Sequence, residues 1–173
     1  MNKKSQQTWI SAVLYIALGM VVLSIILAAG MPVVNKLKDK QIAAQTKNIM
    51  HEVDRIINEI YDEGPGSQRT RTIEVGKGEF TISTTSIQWT LDTKYPGETE
   101  LGIPVKEGNL NVLTKETSIV GNYNLILSLY YPDFDLVVKT QSKVFKGRTP
   151  LIFRNAGDIV TPNNKIDIEI SEA

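Results

Sequence analysis

The sequence predicts an α+β protein: one long N-terminal helix, transmembrane and then amphipathic, followed by an antiparallel β-rich head, sandwich-like or a curled sheet. Three observations predict it. No residue from Ser5 to Asn35 is charged. From Ile42 to Ile60 apolar residues recur at helical spacing. Beyond Gly66 that period gives way to short runs rich in β-branched and aromatic residues.

The first element is the charge-free run. Its apolar centre, Ile10 to Ala29, is 20 residues long. As a helix rising ~1.5 Å per residue it matches the ~30 Å hydrocarbon core of a bilayer. Trp9 stands where an interfacial aromatic anchors a span. An ordinary single-span anchor satisfies this pattern. A cleaved secretory signal with Ala28-Ala29-Gly30 as its small-residue site is a second reading. Ala12, Ala17, Gly19, Ser24, Ala28, Ala29 and Gly30 are small enough for close helix approach. The same residues are ordinary members of any membrane span. Gly30-Met31-Pro32 ends the run, and Pro32 predicts a kink or a short break, or else the helix simply stops at the membrane face.

The second element is an amphipathic helix. Ile42, Ile49, Val53, Ile56 and Ile60 fall at spacings of 7, 4, 3 and 4, one face of a helix. Lys47, Glu52, Asp54, Arg55 and Glu59 take the opposite face. The helix is expected to run to about Tyr61 and to stop at Gly64-Pro65-Gly66.

The remaining elements are strands. The runs are Thr72–Val75, Phe80–Ser83, Ile87–Leu91, Leu110–Leu113, Tyr123–Tyr131, Leu136–Val144, Leu151–Phe153 and Ile166–Ile170. Ile166-Asp167-Ile168-Glu169-Ile170 alternates cleanly, as a strand with one wet face does. Gly76-Lys77-Gly78, Pro96-Gly97, Pro132-Asp133 and Pro162-Asn163-Asn164 supply turns.

Composition excludes several chemistries. Lys+Arg and Asp+Glu are both 19, so no net charge argues for nucleic acid. No cysteine is present, which removes disulfides, thiolate catalysis and Cys-based metal sites. His51 is the only histidine, and it reads as a solvated helix position. Asp133, Asp135 and Asp158 are candidates for a calcium site, but they lack calcium-loop spacing and read better as turn caps. Trp89, Tyr95, Tyr123, Tyr130, Tyr131 and Phe134 read as β core or subunit contacts. No catalytic, cofactor-binding or metal residues are expected, and an enzyme is the least favoured class.

Lys3-Lys4-Ser5-Gln6-Gln7, directly before the apolar run, resembles the class III signal of archaeal type IV pilin-like proteins. The resemblance continues at Glu63-Gly64-Pro65-Gly66-Ser67-Gln68-Arg69-Thr70-Arg71-Thr72-Ile73-Glu74-Val75. It also covers Gly78-Glu79-Phe80-Thr81-Ile82 and Ile87-Gln88-Trp89. It is clearest over residues 1–91. It implies cleavage by a prepilin peptidase between Ser5 and Gln6, with Lys3, Lys4, Ser5 and Gln6 as processing residues. The chain then divides into a leader (1–5), a transmembrane and assembly helix (6–34), an amphipathic helix (35–63) and a β-rich head (64–173). Membrane lipid, the peptidase and other pilin copies in a filament are the implied partners. The implied location is the cytoplasmic membrane, single-pass, with the C-terminal domain outside, and a surface filament after assembly.

Two features depart from that pattern. No asparagine begins an Asn-x-Ser/Thr glycosylation site. Lys36, Lys38 and Lys40 follow the span and outnumber Lys3 and Lys4 before it. Taken alone, the positive-inside rule therefore favours a cytoplasmic C-terminal domain. The alternative function is an unprocessed, membrane-anchored β domain that binds a ligand or surface partner.

Overall fold

The computed structural model describes residues 3–97, 100–139, 143–157 and 166–172, and for residues 3–8, 10 and 166 the backbone alone. One helix, α1 (Lys3–Glu63), precedes eight strands. They are β1 (Gln68–Ile82), β2 (Ser86–Thr93), β3 (Val105–Glu107), β4 (Leu110–Glu116), β5 (Tyr123–Tyr130), β6 (Phe134–Val138), β7 (Val144–Gly157) and β8 (Ile166–Glu172). The architecture is α+β, as the sequence predicts. The chain divides into two compact units, Met1–Lys38 and Asp39–Ala173.

In the first unit α1 passes through Pro32 without interruption. The expected break is therefore absent. The missing proline amide removes one backbone bond, and the helical bonds on either side hold the turn.

In the second unit the strands form a single sheet in the order β3-β4-β5-β2-β1-β7-β8-β6. The second layer is the helix itself, not a facing sheet. Met50, Val53, Ile57 and Ile60 are 0% exposed, and Ala43 and Ile56 join them. Phe80, Trp89, Leu127, Phe153 and Ile168 from five strands complete the same core. Each fully buried Ile, Leu, Val or Phe contributes roughly 1.5–3 kcal/mol over exposure. The predicted face of Val53, Ile56 and Ile60 is buried, while Ile42 and Ile49 are only half-buried. The helix buries more of its circumference than the isoleucine spacing implied.

The sheet is antiparallel except for β6 and β8, which pair in parallel. Two expected runs merge: Thr72–Val75 and Phe80–Ser83 lie largely in β1, which bulges between Val75 and Phe80 where a turn was expected at Gly76-Lys77-Gly78. Gly78 has φ +85, and a Cβ there would lie 2.2 Å from the Thr90 carbonyl oxygen. Only glycine fits that close strand approach. The expected run Leu136–Val144 is instead split between β6 and the start of β7. β3 was not expected, because three residues beside Pro104 carry too little pattern. Asp158 and the turn Pro162-Asn163-Asn164 lie outside the described residues.

Candidate functional site

The apolar part of α1 is the first candidate region. It is long and apolar enough to cross a membrane once, a property that a signal sequence shares, and none of it is buried in the structure. Val13, Leu14, Leu18, Leu23, Ile26 and Leu27 are all more than half exposed.

The small residues fall on two stripes at 100° per residue. Ala12, Gly19 and Gly30 share one azimuth, and Ala17, Ser24 and Ala28 share another on the far side. Ala29 lies between them. A Cβ added at Gly19 or Gly30 would meet nothing within 4 Å, so both positions are open for a neighbour's approach. The Ser24 hydroxyl donates to the Met20 carbonyl at 2.8 Å. Its polarity is thereby satisfied within the helix and does not oppose an apolar surrounding. The backbone of Lys3, Lys4, Ser5 and Gln6 belongs to the opening turns of α1.

The second unit holds its helix at both ends by polar contacts that the sequence did not reveal. At one end Asp39 is 9% exposed and accepts hydrogen bonds from Lys77 Nζ at 2.7 Å and the Lys94 amide at 2.6 Å. Burial raises its pKa, but Lys77 and the Lys94 amide outweigh this and hold the carboxyl below the usual range. At the other end, Ser67 Oγ and Asn155 Nδ2 both donate to the Ile60 carbonyl, at 2.7 and 3.0 Å. They satisfy an end-of-helix acceptor inside the fold.

The polar face of α1 is only partly solvated. Lys47 pairs with Glu107 at 2.6 Å, and Arg71 pairs with Glu52 at 2.7 Å. Asp54 accepts from Asn109 Nδ2 at 2.9 Å and from the Tyr131 hydroxyl at 3.0 Å. Burial and the Asp54 carboxylate raise the Tyr131 pKa, so the phenol stays a donor. His51 is exposed, with Nε2 3.9 Å from Glu107.

Trp89, Tyr131 and Phe134 are core residues, Tyr95 and Tyr123 are half-buried, and Tyr130 is exposed. Of the candidate calcium residues, Asp133 is exposed on a turn, and Asp135 pairs in register with Asp167. Among the described residues no group of three His, Asp or Glu side chains converges on a point.

A cavity of about 120 Å³ lies beside the helix, lined by Ala43, Lys47, Tyr95, Val112 and Thr114 among others. The Thr114 hydroxyl is buried there without a hydrogen-bond partner among the described residues. Asp39, Asn155 and Thr114 were all missed by sequence reasoning. Asp39 alone left a trace, as the one acid within Lys36-Leu37-Lys38-Asp39-Lys40.

No family model, no curated protein and no solved structure matches this chain.

Proposed function

We propose that this chain is a structural subunit of an archaeal type IV pilus-like surface filament, held in the cytoplasmic membrane before assembly with its C-terminal domain outside. The observation that carries the reading is the uncovered apolar stretch of α1. A helix apolar on every side needs either lipid or other apolar helices around it. A pilin-like subunit offers it both in turn. The leader-like Lys3-Lys4-Ser5-Gln6 before that stretch supports trimming at its front edge rather than removal of the whole segment.

In this scheme the peptidase cuts between Ser5 and Gln6. Lys4 and Ser5 serve recognition, and Gln6 becomes the new N-terminus. The stripes of Ala12, Gly19 and Gly30 and of Ala17, Ser24 and Ala28 give two faces for neighbouring helices. The helix-filled sheet of the second unit supports this role, since its helix and strands bury one shared core. Deleting the gene should remove filaments from cells viewed by electron microscopy, and restoring it should return them. A smooth membrane distribution with filaments unaffected would contradict the proposal.

The cavity beside Thr114 favours a second reading, an anchored binding module that never polymerises. A buried hydroxyl without a partner costs about 1–3 kcal/mol, which a bound polar group or water would relieve.

A further inference from the structure

The hairpin joining β4 and β5 ends in Thr117-Ser118-Ile119-Val120-Gly121-Asn122. Turns of this kind ordinarily carry Gly, Asn, Asp or Ser at the tip. Here the tip carries two β-branched apolar side chains, with Ile119 65% and Val120 92% exposed. The turn is nevertheless well tied. The Asn122 amide donates to the Ile119 carbonyl at 3.0 Å, and the Thr117 amide donates to the Asn122 carbonyl at 3.0 Å. The Thr117 hydroxyl adds a further bond to the Asn122 carbonyl, and Gly121 takes φ +81. The fold thus holds two apolar side chains outward on a braced support.

A second apolar loop lies close by. The Gly102 amide donates to the Thr114 carbonyl at 2.8 Å and sets this loop against β4. Leu101 and Ile103 project from it, 45% and 50% exposed.

Contacts within the second unit fix which end of the domain this is. Asn109, just before β4, bonds Asp54, whereas Thr114 shares a cavity wall with Ala43 and Lys47. Passing along β4 from Leu110 to Glu116 therefore follows α1 back toward Asp39. The tip continues that direction, with Lys115 to Thr117 adding about 10 Å at ~3.3 Å per residue. Asp39 opens this unit, and the charge-free segment ends only four residues before it in sequence, at Asn35.

We propose that Ile119 and Val120, with Leu101 and Ile103, are a second lipid contact, dipping into the bilayer interface. The inference rests on the reading of α1 as a membrane helix. Two arguments select lipid over a second copy of the chain. The tether at Asp39 keeps this end near the membrane at high effective concentration. The patch is also only four side chains, far short of the ~800 Å² per partner of a stable protein interface. Exposed Lys94 and Lys115 can meet headgroup phosphates, while exposed Glu100 and Glu116 oppose them, so apolar burial is the driving term.

The absence of cysteine allows clean single-site labelling. Full-length Val120→Cys, Tyr130→Cys and Ile26→Cys variants, each carrying an environment-sensitive fluorophore, are reconstituted in phosphatidylcholine–phosphatidylglycerol vesicles. Tyr130 lies at the opposite end of β5 from the tip and is 55% exposed. The label at position 120 should shift to the blue and be quenched by spin-labelled lipid, as at position 26, while position 130 stays water-exposed. A water-exposed label at 120 with quenching intact at 26 overturns the lipid contact alone. Shielding at 120 that appears only with several copies per vesicle assigns the tip to a second copy and also overturns it. Loss of quenching at 26 overturns the membrane reading and the contact with it.

Discussion

Asp39 and Lys77 lie 38 positions apart in sequence and meet in a 2.7 Å ion pair that ties the start of the domain's helix to the bulge of β1. The Trp89 indole donates to the Lys77 carbonyl at 3.0 Å, so the same residue is fixed from its backbone side. Asp39→Asn should cost about 1.5–3 kcal/mol at neutral pH, the range for hydrogen bonds to a charged group. Because the folded carboxyl is held below its ordinary value, its contribution is complete above ~3.9 and is lost as pH falls through the folded pKa. Thermal melts followed by circular dichroism should show the variant and the native chain converging in acid.

Asp167 should behave in the opposite sense. It is 3% exposed, its Oδ1 has no hydrogen-bond partner among the described residues, and it stands in register with Asp135 on the neighbouring parallel strand. Burial first, and Asp135 second, raise its pKa. A raised folded value favours the fold below the ordinary carboxylate range and penalises it as pH rises through the folded pKa. Asp167→Asn should therefore stabilise the fold at pH 7 by on the order of 1 kcal/mol, seen as a raised melting temperature. The gain should vanish below about pH 4. Melts of both chains across that range check it.

Asn155 is fully buried, bonding the Ile60 carbonyl through Nδ2 and receiving the Gly157 amide on Oδ1 at 2.9 Å. Asn155→Ala removes both bonds and leaves a cavity at the end of the helix. A loss of about 2–4 kcal/mol is expected from chemical denaturation. Ser67 still caps Ile60, so the helix should keep its length by circular dichroism.

Much of this fold was legible because its signals are local. Val53, Ile56 and Ile60 reveal their face through spacing alone, and Gly64-Pro65-Gly66 marks the helix end within one residue of Glu63. Pairings between distant segments were not legible. Asp39 with Lys77, and Asn155 with Ile60, join residues 38 and 95 positions apart, and no spacing rule links them. The bulge at Gly78 looked like a turn because glycine serves both purposes. Ile119-Val120 sat between two strand runs and gave no sign of being a turn tip. Lys40 counts toward topology in sequence, but in the fold it stands 5.6 Å over the Tyr95 ring.

Replacing Ala17 and Ala28 with leucine fills one small-residue stripe of α1. Filament yield should fall sharply, because helices can no longer approach closely there. Neither side chain is covered in the structure, so domain stability should change by less than about 0.5 kcal/mol. Filament counts by electron microscopy and melts of the same preparations separate the two effects.

The most direct test is the N-terminal sequence of the mature protein, made with an archaeal prepilin peptidase. The mature chain should begin at Gln6, and replacing Ser5 with a bulky residue should leave the protein unprocessed. A mature chain that still begins within residues 1–5 would contradict this in favour of a simple anchor. One that begins after Gly30 would contradict it in favour of a cleaved secretory signal.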